Sequence, residues 1–176
     1  MPEPTADPRL PLVRRVAIHA LVFGIGITAI KFAVFALTDS VAVLTDAIES
    51  IINIVAAAVG LEGCLMVIAG LFIAFHAVTQ IVRGAAPERL GLGLMAMGGV
   101  AVLTLALGQY VYRRGKRYDS DPLIADGKHL LVDAGSTLAV LGGLGAVKLT
   151  GIAWIDPLVA IGLTLVILFT SSRLLW

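Results

Sequence analysis

Residues 16–37 read VAIHALVFGIGITAIKFAVFAL, an apolar run in which Lys31 is the charged exception. As a helix rising 1.5 Å per residue, this run is long enough to cross a hydrocarbon core of roughly 30 Å. The remainder of the chain is similar, because 59% of its 176 residues are hydrophobic and 14% are charged. Soluble domains carry about 25% charged residues. The sequence therefore predicts an all-α membrane protein surrounded by lipid bilayer.

The same composition excludes several other classes of protein. A net charge of +1 provides no basic field that would hold nucleic acid, so no nucleic-acid partner is expected. The single cysteine, Cys64, excludes an internal disulfide and a thiolate cluster. Aromatic residues make up 6% of the chain, which is sparse for a membrane barrel with aromatic girdles. A bundle of apolar helices remains.

Short polar segments divide the chain into six apolar blocks, which predict a six-transmembrane-helix bundle. Residues 1–15 contain four of the prolines and are predicted to be a disordered lead, with the transmembrane domain over 16–176. Asp39-Ser40 is expected to cap the second helix, and Pro122 suits the first turn of the fifth. The predicted helices cover residues 16–37, 40–60, 61–82, 90–112, 122–149 and 156–176.

The apolar run from Ile51 to Val82 is too long for one span, since it would measure about 48 Å as a helix. It requires either a reversal near Gly60–Gly63 or a helix that projects into water.

The distribution of Lys and Arg predicts the orientation of the bundle. If the N-terminus is inside, most of the cationic residues fall at inside ends, as the positive-inside rule requires. The inside ends then hold Arg9, Arg14, Arg15, Arg113, Arg114, Lys116, Arg117 and Arg173, whereas the outside ends hold Arg83, Arg89 and Lys148. Both termini are therefore predicted to be cytoplasmic.

Two predicted spans carry polar side chains at the same spacing. The second span has Asp46, Glu49 and Asn53, and the fifth has Asp126, His129 and Asp133. The spacing of three and then four residues places each set on one helical face, and it matches the two sets position for position. Ionisable groups inside a span are costly unless they pair or line a wet cavity.

A divalent-cation site is the interpretation that uses both faces. If Glu49 and Asn53 face His129 and Asp133, they offer two carboxylates, an imidazole and an amide oxygen, which suit a divalent metal. Asp46 and Asp126 are assigned to a proton path or to the second shell of that site.

Other interpretations of these faces stay open. A passive cation channel would use the same residues, and a truncated or inactive membrane scaffold would use them only to hold helices together. An intramembrane enzyme is disfavoured, because no spare base or nucleophile accompanies the ligand faces. Lys31 is expected to pair with a residue such as Asp39, while the roles of Glu62 and Lys128 are left open.

Three segments resemble motifs of the cation diffusion facilitators. Residues 38–50, TDSVAVLTDAIES, resemble the second-helix motif of that family, and residues 123–133, LIADGKHLLVD, resemble its fifth-helix motif. Residues 154–160, WIDPLVA, are similar to the start of its sixth helix. The resemblance implies a homodimeric transporter, not an enzyme, that exports divalent metal from the cytoplasm across the cell (inner) membrane by proton antiport. Its metal site would be Glu49, Asn53, His129 and Asp133.

The chain departs from the family pattern in three ways. Glu49 and Asn53 stand where the family usually has His or Asp and then Asp, so the site holds one carboxylate fewer. Zn²⁺ is the expected substrate because of His129 and the family resemblance, with Fe²⁺, Mn²⁺ and Co²⁺ as alternatives because Asn53 supplies a neutral oxygen. The His-rich loop between the second and third helices and the cytoplasmic C-terminal metal-binding domain are both absent from the chain as it stands. Accessory metal sites and much of the family's dimer interface are therefore not carried over.

Overall fold

The computed structural model describes residues 9–59, 62–84 and 86–174, and within these it describes the side chains except those of 56–59, 62–67, 167, 168 and 170–174. The described residues form an all-α bundle, as predicted. Its helices are α1 (Leu10–Thr38), α2 (Val41–Val59), α3 (Glu62–Arg83), α4 (Leu90–Tyr118), α5 (Asp121–Thr150) and α6 (Ile155–Leu174). The long apolar run is divided between α2 and α3, which pack against each other, so it reverses rather than projecting into water.

Two predicted boundaries are wrong. Helix α1 begins at Leu10 rather than Val16, so residues 10–15 of the predicted disordered lead are helical. Helix α4 continues through the basic cluster 113–117 and ends at Tyr118. Apolar runs predict where a helix meets water, whereas the helix itself ends where its backbone changes conformation. In α4 that change comes at Asp119, whose φ of 52° is left-handed.

The lengths of the helices and the apolar surface of the bundle both indicate a membrane protein. Three helices, α1, α4 and α5, are long and apolar enough to cross a bilayer, and shorter apolar segments lie at Ile68–Arg83 and Ile155–Val166 of the described chain. Large apolar side chains such as Met95 and Leu149 are more than four-fifths exposed on the bundle surface. Such residues are stable when the surrounding solvent is lipid. The chain is an integral membrane protein.

Helix α2 is central, since it packs against α1, α3, α5 and α6. Its N-terminus is capped twice. Ser40 accepts a hydrogen bond from the Val43 amide at 3.1 Å, as the sequence predicts, and Asp156 of α6 accepts the Val41 amide at 2.7 Å. The Ser40 hydroxyl also donates to Asp156. A buried carboxylate from α6 therefore holds the start of α2 in place.

Helices α4 and α5 form the most extensive helix pair, because glycines allow their backbones to approach closely. A Cβ on Gly115 would lie 2.7 Å from the backbone nitrogen of Ile124. A Cβ on Gly127 would collide with the backbone of Tyr112. This contact fixes the first turns of α5, from which Asp126 and His129 project.

Candidate functional site

A cavity of about 530 Å³ lies between α1, α2, α4 and α5. Its wall runs from the exposed residues Pro122 and Asp126, in the first turns of α5, to the buried Lys31 of α1. The polar side chains that line it are Thr28, Lys31, Ser50, Asn53, Thr104, Asp126, His129 and Asp133. Three of the four predicted metal ligands, Asn53, His129 and Asp133, are therefore in one cavity.

The direct contact between the two predicted ligand faces joins Asn53 and Asp133. The Asn53 Nδ2 donates to the Asp133 Oδ1 at 3.0 Å. One helical turn earlier, the His129 Nε2 lies 3.9 Å from the same carboxylate oxygen. Asp133 is mostly buried, whereas the His129 side chain is 47% exposed toward the mouth of the cavity. One carboxylate oxygen thus faces both an amide and an imidazole.

Glu49 and Asn53 each have a polar oxygen that is buried and unpartnered among the described residues, namely Glu49 Oε2 and Asn53 Oδ1. Glu49 does not line the cavity. In the described part of the chain, no group of three or more His, Cys, Asp and Glu side chains is arranged to hold a metal ion. The four predicted ligands are thus neighbours on two packed helices, and they are not assembled into a coordination sphere.

The polar residues of α2 and α5 have the same spacing, but residues at matching positions do not all contact each other. Asn53 meets Asp133, but Asp46 meets Thr137, whose hydroxyl lies 3.0 and 3.2 Å from the two carboxylate oxygens of Asp46. As the chain rises from 46 to 53 its partners fall from 137 to 133, so α2 and α5 are antiparallel here. Asp46 and Asp126 consequently lie at opposite ends of the site, with Asp46 buried and Asp126 exposed at the mouth.

The predicted partner of Lys31 is wrong. Lys31 pairs with Asp46 rather than Asp39: its Nζ lies 2.9 Å from the Asp46 Oδ2, and both side chains are 1% exposed. A signal for this pair exists in the sequence. Helices α1 and α2 are joined by the short turn at Asp39 and Ser40, and Lys31 and Asp46 lie at nearly equal distances along the chain from that turn. In an antiparallel pair, such residues reach the same depth.

The other two histidines of the chain and Lys128 do not line the cavity. His19 is exposed on α1, and His76 contacts the Phe72 ring on α3 with centroids 4.8 Å apart. Lys128 is exposed on α5. Glu62 and Cys64 are on α3, and their side chains are among those that the structure does not describe.

The chain is similar to known proteins over most of its length. A family model for the cation efflux transmembrane domain matches residues 60–176. Over 192 aligned positions the chain is 27% identical to an uncharacterized transporter, sll1263, of Synechocystis sp. (strain ATCC 27184 / PCC 6803 / Kazusa), with 93% of this chain and 62% of that protein covered. The chain thus spans about three fifths of the length of the curated relative. The alignment is longer than the chain, so the relative has internal residues that this chain lacks.

Proposed function

The chain belongs to the cation efflux family of membrane transporters, and from this premise we propose that it exports a divalent metal cation from the cytoplasm in exchange for protons. The substrate site we propose comprises Glu49, Asn53, His129 and Asp133. Zn²⁺ is the first candidate, because an imidazole favours it, and the neutral oxygen of Asn53 makes Fe²⁺, Mn²⁺ and Co²⁺ the alternatives.

The observation that carries this proposal is the position of the Asn53–Asp133 pair in the cavity wall. Both residues line a cavity that extends to exposed side chains at the start of α5. That end also carries the basic residues 113, 114, 116 and 117 of α4, which favour a cytoplasmic location. A cation that enters from the cytoplasm would pass Asp126 and His129 before it reaches Asp133.

The donor set fits a divalent cation after small side-chain movements. Rotation of the Asn53 amide would turn its unpartnered Oδ1 toward the cavity and remove its N–H from Asp133. The carboxylate of Asp133 would then be free to bind the ion beside His129. Glu49 would complete the set by a change of rotamer, and such a change would also give its orphaned oxygen a partner.

Proton coupling follows from the same ligands. Carboxylates and imidazole bind metal in their deprotonated forms, so protons and metal compete for one site. Exposure of the site to a more acidic outer face would favour release of the ion, and exposure to a neutral cytoplasm would favour rebinding. Rocking of the helices around a fixed central site would provide the alternation. In this proposal Asp126, at the cytoplasmic mouth, accepts protons that leave the site for the cytoplasm.

The cell membrane and a homodimeric assembly complete the proposal, and the family resemblance supports both.

Transport by purified protein in lipid vesicles tests the function. We expect Zn²⁺ flux that increases with an imposed pH gradient, that is lost in Asp133→Ala, and that persists in Asp119→Asn. The control removes a carboxylate next to α5 at a left-handed position that asparagine tolerates. Flux that ignores the pH gradient would indicate a passive channel instead. Absence of bound metal by elemental analysis would indicate an inactive scaffold, and unchanged flux in Asp133→Ala would refute the assigned site.

A further inference from the structure

The ion pair between Lys31 and Asp46 lies at the buried end of the same cavity. The Lys31 Nζ donates to the Ser50 Oγ at 2.8 Å in addition to its 2.9 Å contact with Asp46. The Ser50 hydroxyl in turn donates to the Asp46 carbonyl at 3.0 Å. Lys31 and Ser50 both line the cavity, whereas Asp46 lies behind them. The ammonium group is therefore held at the cavity wall by two residues of α2.

This pair is tied to the turns that carry the proposed ligands. The Thr137 hydroxyl contacts the Asp46 carboxylate and also lies 3.0 Å from the backbone carbonyl of Asp133. Ser50 follows Glu49 directly in the chain. The contacts of Lys31 with Ser50 and Asp46 therefore place its charge beside the turns that carry Glu49 and Asp133. A change of charge at Lys31 or Asp46 is consequently expected to change the electrostatic potential at the proposed ligands.

The positive charge of Lys31 determines how many negative charges remain for a bound cation. Three carboxylates lie near Lys31: Asp133 lines the cavity, Asp46 lies behind the cavity wall in contact with Lys31, and Glu49 lies outside the lining. Pairing of Lys31 with Asp46 cancels one negative charge. When Glu49 and Asp133 are both ionised, as ligands of a bound cation would be, their two negative charges equal the charge of one divalent cation. Asp126 is exposed at the mouth, where water screens it.

We propose that Lys31 is a built-in counter-cation that sets the net charge of the transport site and thereby makes the site selective for divalent over trivalent cations. This role rests on the proposed function, since it concerns the same site. Lys31 acts as a positioning and specificity-determining residue: it binds no substrate itself, and it removes Asp46 from the set of carboxylates available to the ion.

Opposite charge changes at Lys31 and Asp46 test this role. Equilibrium binding of Zn²⁺ and of Tb³⁺ is measured on the purified protein in detergent. In Lys31→Met the uncancelled Asp46 should tighten Zn²⁺ binding about tenfold, which corresponds to about 1.4 kcal/mol. Since the interaction with a fixed charge scales with the charge of the ion, Tb³⁺ binding should tighten about thirtyfold. In the nearly isosteric Asp46→Asn the uncancelled Lys31 should weaken both, again with the larger change for Tb³⁺.

Further variants separate charge from structure. Lys31→Arg keeps the charge and should keep the wild-type preference for Zn²⁺ over Tb³⁺. The metal affinities of the double variant Lys31→Met/Asp46→Asn should lie between those of the two single variants. Lys148→Met removes an exposed lysine from the other end of α5 and should change neither affinity. If Lys31→Met does not fold, Asp46→Asn and the double variant still provide the test. For both variants, the direction of the change in affinity and its dependence on the charge of the ion are compared with those expected.

The outcomes distinguish this proposal from the proposed function. If Lys31→Met and Asp46→Asn weaken binding alike, with no dependence on the charge of the ion, the pair is purely structural and the proposal is overturned. This conclusion requires that wild-type protein binds Zn²⁺ and that Asp133→Ala does not. If wild-type protein binds no metal, or Asp133→Ala binds as well as wild type, the proposed site itself fails and the role of Lys31 fails with it.

Discussion

Asn53 on α2 and Asp133 on α5 are joined by a hydrogen bond of 3.0 Å between the amide nitrogen and a carboxylate oxygen. An amide at this position stabilises the ionised form of Asp133 in the absence of a cation, which a second carboxylate could not do. The pair explains how a chain that lacks the usual aspartate at position 53 keeps its two polar faces in contact.

Asn53→Asp should make the protein more dependent on metal. Two carboxylates in contact repel each other in the free protein, and a bound divalent cation removes that repulsion. We expect a lower melting temperature without metal, by about 2–4 °C for each kcal/mol lost, and Zn²⁺ binding at least about tenfold tighter. Thermal unfolding in detergent with and without Zn²⁺ measures both.

The control is Asn53→Ala, which removes the hydrogen bond without adding a charge. It should lower the melting temperature and bring no gain in Zn²⁺ affinity. A gain in affinity in this variant would contradict the argument from charge.

His129→Asn should change the preference of the site among metals. The imidazole favours Zn²⁺ over Mn²⁺, whereas an amide oxygen does not. We expect Zn²⁺ affinity to fall at least about tenfold more than Mn²⁺ affinity, as measured by titration calorimetry. His76→Asn is the matched control, because His76 packs against Phe72 on α3 and does not line the cavity. Equal losses for the two metals in His129→Asn would exclude the imidazole from the coordination sphere.

Gly127→Ala should separate the first turns of α5 from α4. The added methyl group would collide with the backbone of Tyr112, which cannot move aside as a flexible side chain could. Overpacking of this kind costs about 1–3 kcal/mol, and the melting temperature in detergent should fall accordingly. Metal binding should weaken too, because His129 projects from the displaced turns.

Gly135→Ala on the same helix provides the comparison, since a Cβ at Gly135 meets no atom within 4 Å. This variant should be neutral or more stable, because alanine favours a helix over glycine by up to about 1 kcal/mol. Equal melting temperatures for the two variants would contradict close packing at Gly127.

Asp156→Ala should loosen the start of α2. The carboxylate accepts the Val41 amide at 2.7 Å and the Ser40 hydroxyl, and all three residues are buried. Loss of a charged acceptor that leaves buried donors unpaired costs about 1–3 kcal/mol, and thermal unfolding should show that loss. Asp39→Asn removes an exposed carboxylate near the same helix end, at a left-handed position that asparagine tolerates, and should leave stability unchanged. A melting temperature that falls equally in both variants would show that the cap contributes nothing specific.

The helices were predictable because each apolar block between polar segments indicates one membrane helix. The boundaries of α2, α3, α5 and α6 lie within a residue or two of the predicted segments over the described chain. Errors occurred at Leu10 and at the C-terminal part of α4, where amphipathic or basic turns extend a helix beyond the apolar run. Periodicity likewise placed Asn53, His129 and Asp133 on faces that meet.

The pairing of charges could not be read from periodicity alone. The spacing of Asp46, Glu49 and Asn53 specifies one face of α2, but that face is shared by α1 and α5. Which neighbour each residue meets depends on helix direction and depth. Asp46 therefore pairs with Lys31 and Thr137, and Glu49 lies outside the cavity in which its predicted partners meet.

The sequence by itself determined that this protein is a bundle of membrane helices with polar residues at the same spacing on two of them. Apolar length and helical spacing are local properties, and lipid enforces them strongly. Only the tertiary structure decided that Asn53 meets Asp133, that Lys31 neutralises Asp46, and that the cavity opens at the start of α5. These contacts join residues distant in the chain, and the antiparallel packing of whole helices brings them together.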